Sequence, residues 1–214
     1  MGLGLAGVKA LVQAMGGDIV VVSTEGRGSR FTVRIPPLSS EGAEEGAMRS
    51  SVLDEKRILA VDDEPDVLMV LEGEIKDSCP SCTVDKATTF EAAAEMLSGW
   101  TYDLVILDIM GVRGFDLLER ALGRNFPVAM LTAHALSPEA LKRSFDMGAR
   151  AYLPKEKLGE IVPFLEDVLT HEYLPGWKRL MEKLKGFFDQ RFESGWEKKA
   201  GMDWKEWPSL SDKE

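Results

Sequence analysis

The sequence predicts an α/β protein: a doubly wound, five-stranded parallel sheet, preceded by an α-β-β piece and followed by a helical extension. Three observations carry this reading. Residues 56–170 alternate short apolar runs with amphipathic stretches, and the runs are apolar at successive positions, as strands buried on both faces are. Residues 38–55, LSSEGAEEGAMRSSVLDE, are Ser, Gly, Ala and Glu with almost nothing to bury, which reads as a flexible linker. The whole chain is 44% hydrophobic and 29% charged over 214 residues, a globular composition with length for one domain and its appendages.

Upstream of the linker, residues 1–37 begin with Leu5, Val8, Leu11, Val12 and Met15 at helical spacing, and Gly16-Gly17 ends that helix. Two strands follow, DIVVVS at 18–23 and RFTVRI at 30–35, joined by a glycine-bearing turn. So short an α-β-β piece buries too little to fold alone and is expected to be the end of something larger. Downstream, RILAV at 57–61, CTVDKA at 82–87, DLVILD at 103–108, PVAML at 127–131 and RAYLP at 150–154 read as strands, the second of them weaker than the rest. Helical stretches lie between them. Residues 171–214 add an amphipathic helix with Trp177, Leu180, Leu184 and Phe187 on one stripe and Pro175 in its first turn, then a frayed tail. That stripe has two readings: an uncovered interface for an output partner or for self-association through the 175–193 helix, or a helix folded back on the sheet domain.

Charge and composition exclude several classes. The net charge of −10 divides into +2 for residues 1–37, −4 for 38–55, −8 for 56–170 and zero for 171–214. No segment is basic enough for a nucleic-acid footprint. No apolar run approaches the ~20 residues of a membrane span, and the N-terminus lacks the pattern of a secretory signal, so the expected location is cytoplasmic. Two cysteines, Cys79 and Cys82, make no disulfide framework, and with two histidines in the chain they assemble no ordinary zinc site.

In an open parallel sheet, ligands bind beyond the carboxyl ends of the strands. There the sequence places Asp62, Asp63 and Glu64, then Asp108, Thr132 and Lys155. Singly, Asp63 or Glu64 beside Pro65 could be a helix cap. Together, carboxylates at one sheet edge repel unless a cation holds them, and oxygen-only ligands favour Mg²⁺. A hydroxyl and an ammonium opposite a metal-bound carboxylate are what a phosphoryl group on that carboxylate needs for its remaining oxygens.

These strings, ILAVDDEPDV at 58–67, YDLVILDIM at 102–110, VAMLTAH at 128–134 and GARAYLPK at 148–155, resemble the receiver domain of two-component response regulators, with its flavodoxin-like sheet. The resemblance spans roughly residues 56–170. It implies Asp108 as phosphoacceptor, with Asp62, Asp63, Asp108 and the backbone carbonyl of Met110 holding Mg²⁺. It further implies Thr132 and Lys155 as phosphoryl-binding groups and Tyr152 as the aromatic that changes rotamer with the threonine. The implied partner is a histidine kinase or phosphotransfer protein. Two departures stand out: Glu156 follows Lys155 where the family usually has proline, and GVRG at 111–114 lacks the usual loop proline. His134 has two readings, a modulator of phosphoryl lifetime or a surface residue capping the next helix.

Residues 1–38 resemble the C-terminal end of a histidine-kinase ATP-binding domain, through GLGL, MGG, EGRGS and F-T-V. Gly2 and Gly4 there could offer backbone N–H groups to phosphates. The rest of such an ATP site and the phosphorylatable histidine helix are not in the sequence, so no kinase activity is expected.

The leading functional expectation is therefore a non-enzymatic phosphoacceptor switch that takes a phosphoryl group from a histidine kinase. The alternative is a piece of a hybrid sensor histidine kinase carrying a C-terminal receiver. A DNA-binding role for 171–214 lacks a basic surface, and an aspartate-nucleophile phosphatase would want an acid two positions after the nucleophile, where Met110 stands.

Overall fold

The computed structural model describes residues 18–24, 28–34, 51–133, 136–199 and 201. The chain divides into two compact units, Met1–Arg49 and Ser50–Glu214. In the first, β1 (Asp18–Thr24) pairs antiparallel with β2 (Gly28–Arg34), in register from Asp18 opposite Arg34 to Thr24 opposite Gly28. The second strand starts two residues earlier than its alternation suggested, because pairing continues through Ser29 and Gly28 to the turn. The helix expected over residues 5–15, with Gly2 and Gly4, lies outside the described residues.

The second unit contains a five-stranded, wholly parallel sheet. Its elements are β3 (Arg57–Val61), α1 (Pro65–Ser78), β4 (Thr83–Ala87), α2 (Phe90–Gly99), β5 (Leu104–Asp108), α3 (Gly114–Leu122), β6 (Val128–Thr132), α4 (Pro138–Met147) and β7 (Ala151–Pro154). A 3-10 turn (Lys155–Glu160) leads into α5 (Val162–Thr170), α6 (Tyr173–Arg191) and the short α7 (Trp196–Lys199). The strand order is β4-β3-β5-β6-β7, so the chain steps one way from β3 to β4 and then back across β3 to β5. That reversal opens a crevice beyond the ends of β3 and β5, the place where doubly wound sheets bind ligands.

Local chemistry explains the elements. Pro65 and Pro138 open their helices, and the Ser137 and Thr89 hydroxyls accept the N–H groups of Ala140 and Ala92 at 3.1 and 3.2 Å. β5 and β6 are buried at every position, as runs without alternation demand. β4 is the weak strand because it is an edge: it carries Asp85 and Lys86, and Asp85 takes the Arg57 guanidinium at 2.7 Å.

Two expectations about the flanks change. The stretch read as linker through Glu55 includes Leu53, which is fully buried in the core of the second unit. Its carbonyl accepts the Cys82 thiol at 2.8 Å, and the Ser51 hydroxyl donates to Glu166 at 2.8 Å. One leucine in a polar string is enough to dock it when an apolar pocket and a donor wait there. The C-terminal stripe is likewise not an uncovered interface. Trp177, Leu180 and Leu184 of that stripe are buried in the same core together with Met181 and Phe188, Phe187 is half-buried against it, and the Trp177 indole donates to the Ala149 carbonyl at 2.7 Å. Phe145 of α4 meets both the Tyr173 and Trp177 rings at 5.3 Å, and Asp167 of α5 binds Arg179 and Lys183. The cause is that β7 ends the sheet and α5 has only nine residues, which leaves Phe145, Tyr152 and Val168 in need of another helix. Residues 202–214 lie outside the described residues.

Candidate functional site

The crevice gathers the residues singled out in the sequence. Asp62 follows β3, Asp108 ends β5, Thr132 ends β6 and Lys155 follows β7, so parallel pairing alone brings four strand ends to one rim. Asp62, Asp108 and Thr132 are buried polar residues, whereas Asp63 is exposed at the mouth. Ligand oxygens of Asp62, Asp63 and Asp108 lie within 4.8 Å of one another.

Lys155 is the hub. Its ammonium stands 2.8 Å from Asp62 Oδ2, 2.9 Å from Glu64 Oε1 and 3.3 Å from Asp108 Oδ1, with a side chain only 10% exposed. Burial alone would lower its pKa, but the hydrogen bonds to Asp62 and Glu64 and the charge of Asp108 outweigh that and hold it above the ordinary lysine range. The ammonium is therefore a fixed cation. Burial pushes the Asp108 carboxyl above the usual carboxylate range; Lys155 pulls it down, while the charges of Asp62 and Asp63 add to the upward push.

The helix-cap alternative does not describe these carboxylates. Glu64 occupies the N-cap of α1, yet its side chain makes no capping bond and reaches Lys155 instead. Asp62 Oδ1 accepts the Glu64 N–H at 3.0 Å, which orients the carboxylate. Asp62 Oδ2 is sealed from solvent and has no hydrogen bond of good geometry among the described residues, the ammonium lying beside it as a charge contact. Such an oxygen in a set of three carboxylates fits a hard divalent cation.

The loop after Asp108 is shaped by two glycines whose absent side chains matter. Gly111 has φ +36°, and a Cβ there would lie 2.0 Å from Asp63 Oδ1. At Gly114 a Cβ would lie 2.0 Å from the Asp108 carbonyl oxygen. GVRG thus lets the backbone pass against both aspartates, a constraint its lack of proline did not reveal. The Met110 side chain is exposed, and its carbonyl, which also accepts the Val112 N–H, lies in this loop. A carbonyl keeps a second lone pair for a ligand.

Tyr152, in the middle of β7, is fully buried, and its hydroxyl accepts the Ser137 N–H at 3.3 Å. His134 lies outside the described residues. No peptide bond among the described residues is cis; the 3-10 turn begins at Lys155 itself. Cys79 and Cys82 are both buried thiols, and burial pushes Cys82 up to about 12, which suits packing rather than redox chemistry. Glu64 is the participant that the sequence placed at the sheet edge but gave no role beyond a possible helix cap. Its signal was its place one residue beyond the acidic pair, but only the fold shows the reach to Lys155.

Comparison with known proteins agrees with this geometry. The family model described as response regulator receiver domain matches residues 58–165, and that of the histidine kinase-, DNA gyrase B- and HSP90-like ATPases matches residues 1–39. The aerobic respiration control sensor protein ArcB of Escherichia coli (strain K12) is 34% identical over 145 residues, 63% of this chain and 18% of that protein. The sensory/regulatory protein RpfC of Xanthomonas campestris pv. campestris (strain 8004) is 29% identical over 195 residues, 73% of this chain and 26% of that protein. The chain thus spans about a quarter or less of the length of these relatives. A response regulator receiver protein from Burkholderia phymatum superposes with a TM-score of 0.48 at 24% identity, covering 55% of this chain and 98% of that one. Among the described residues no helix is long and apolar enough to cross a membrane. With its parallel sheet, its acidic crevice and a receiver match over half its length, the chain belongs to the response regulator receiver domain family.

Proposed function

We propose that this receiver accepts a phosphoryl group on Asp108 from the phosphohistidine of a histidine kinase or phosphotransfer protein. The observation that supports it is the convergence of Asp62 and Asp108 on the Lys155 ammonium, with Asp63 alongside. An Asp108 carboxylate oxygen attacks phosphorus, the P–N bond breaks, and the electron pair leaves on the imidazole nitrogen, which takes up a proton. The product is an acyl phosphate, labile enough to serve as a timed switch rather than a turnover intermediate. Lys155 is proposed to pair with the phosphoryl charge, Thr132 to bind one of its oxygens, and Tyr152 to respond to the threonine's movement. Asp62, Asp63, Asp108 and the Met110 carbonyl would hold Mg²⁺. When bound, that ion offsets repulsion between the carboxylates and the phosphoryl oxygens. The reading places the chain in the cytoplasm, in keeping with two unpaired buried cysteines.

A second reading, that the receiver belongs to a hybrid sensor kinase, is favoured by the ATPase-family match at residues 1–39 and by ArcB and RpfC as relatives. Both readings share the acceptor chemistry, and no kinase activity is proposed for the 214-residue chain itself. Incubation with acetyl phosphate and Mg²⁺, followed by intact mass measurement, tests the acceptor. One phosphoryl group is expected, absent in Asp108→Asn and absent in EDTA; equal gain by the Asn variant would overturn the assignment.

A further inference from the structure

Helix α6 is anchored differently along its length. Its first half is tied to the sheet domain through Trp177 on the Ala149 carbonyl, Tyr173 on the Phe145 carbonyl, and Arg179 and Lys183 on Asp167. Its last two turns are held largely by their own continuation. Phe188 stacks on Phe192 at 5.3 Å and meets Trp196 at 5.9 Å, Phe192 meets Trp196 at 5.1 Å, the Trp196 indole donates to Asp189 at 3.0 Å, and Lys185 pairs with Glu197 at 2.9 Å. This segment also sinks Leu184 into the receiver core and shares a groove with Glu139 and Lys142 of α4 at Lys198, and at two further points it borders the acceptor machinery. The Phe188 ring lies 6.2 Å from the ring of Tyr152, and Arg191 lies 3.5 Å from the Glu156 carboxylate, one residue after Lys155.

We propose that residues 184–199 form a strap seated on Tyr152 and Glu156, and that phosphorylation of Asp108 loosens this seat. The inference rests on the acceptor reading above. Two routes lead from the crevice to the strap. Thr132 stands five residues before Ser137, whose N–H is bound by the Tyr152 hydroxyl, so a pull on Thr132 reaches the tyrosine. Lys155 must turn from Glu64 and Asp62 toward the phosphoryl oxygens, which moves Glu156. The Tyr152 ring is fully buried. A close-packed contact fitted to one ring position is poorer for any other, so the displacement passes to Phe188 rather than being absorbed. The Arg191–Glu156 pair is too exposed to hold the strap by itself.

Hydrogen exchange by mass spectrometry on the full chain, with acetyl phosphate and Mg²⁺ and with intact mass read in parallel, tests this. In the phosphorylated protein, amides of residues 184–191 should exchange about tenfold faster, while those of 173–180 stay unchanged. Asp108→Asn should show neither change. Because coupling is reciprocal, Phe188→Leu, which keeps an apolar filling, should bind fluoroberyllate with Mg²⁺ more tightly than wild type. A mass gain with unchanged or slower exchange over 184–191, or loosening spread equally over 173–180, overturns the strap alone. Absence of the mass gain overturns the acceptor reading and the strap with it.

Discussion

At the scale of single residues, the site is a balance of charges with Lys155 at its centre. Removing that ammonium leaves Asp62 and Asp108 buried without their cation. Lys155→Met is therefore expected to cost about 3–5 kcal/mol at neutral pH without Mg²⁺, as for a buried ion pair losing one partner. The cost should shrink in acid, where the carboxyls protonate, and urea titrations at several pH values would read it. The folded-state pKa of Lys155 is raised above 10.5, so its contribution is complete below that value and is lost only as pH rises through the raised one. Asp108 has the opposite sense. Its pKa is raised above 3.8, so the folded state binds its proton more tightly, and the ionised carboxylate costs stability as pH rises through the raised value. Asp108→Asn should consequently melt higher than wild type at neutral pH in EDTA, with the gap closing as pH falls. A variant that melts lower at neutral pH would show that the Lys155 contact outweighs burial.

At the scale of elements, α6 is a structural part of the receiver unit. Leu184 is 1% exposed, and Leu184→Ala is expected to cost about 2–5 kcal/mol. For a domain of this size that lowers Tm by roughly 5–15 °C, measurable by calorimetry. An unchanged Tm would mean that the stripe is not packed as described. Leu180→Glu should be at least as damaging, since it puts a carboxylate on the buried face of α6 against Phe164 and beside Asp167. The helical spacing of Trp177, Leu180 and Leu184 was legible in the sequence, but what covers them was not. Periodicity reports that one face is apolar and is identical whether the cover is the same chain or another molecule. The docking of Leu53 escaped for a related reason: a single apolar residue has no period to betray it.

At the scale of the whole molecule, the acidic crevice should make the receiver's stability depend on divalent cation. On the proposed reading Mg²⁺ binds only the folded arrangement of Asp62, Asp63 and Asp108, so saturation to ten times its dissociation constant is expected to add about 1.4 kcal/mol. That corresponds to a Tm increase of roughly 3–6 °C. Asp63→Asn, at the exposed mouth, should fold normally and lose most of that increase. An equal increase in the variant would place the ion elsewhere.

The sequence alone determined the kinds of element and the chemistry at their ends. Apolar runs without alternation specify buried parallel strands, and whatever follows each run must lie at the carboxyl edge, so the order of residues alone puts Asp62, Asp108, Thr132 and Lys155 together. The tertiary structure alone decided distances and company: Glu64 reaching Lys155, glycines 111 and 114 clearing the two aspartates, and Tyr152 pressed beneath Phe188. The division has a physical reason. Strand direction and side-chain period are local properties of the backbone, whereas contacts between residues as far apart as Tyr152 and Phe188 depend on how whole elements pack. Packing is set by the summed fit of all their surfaces, and no local stretch of sequence contains that sum.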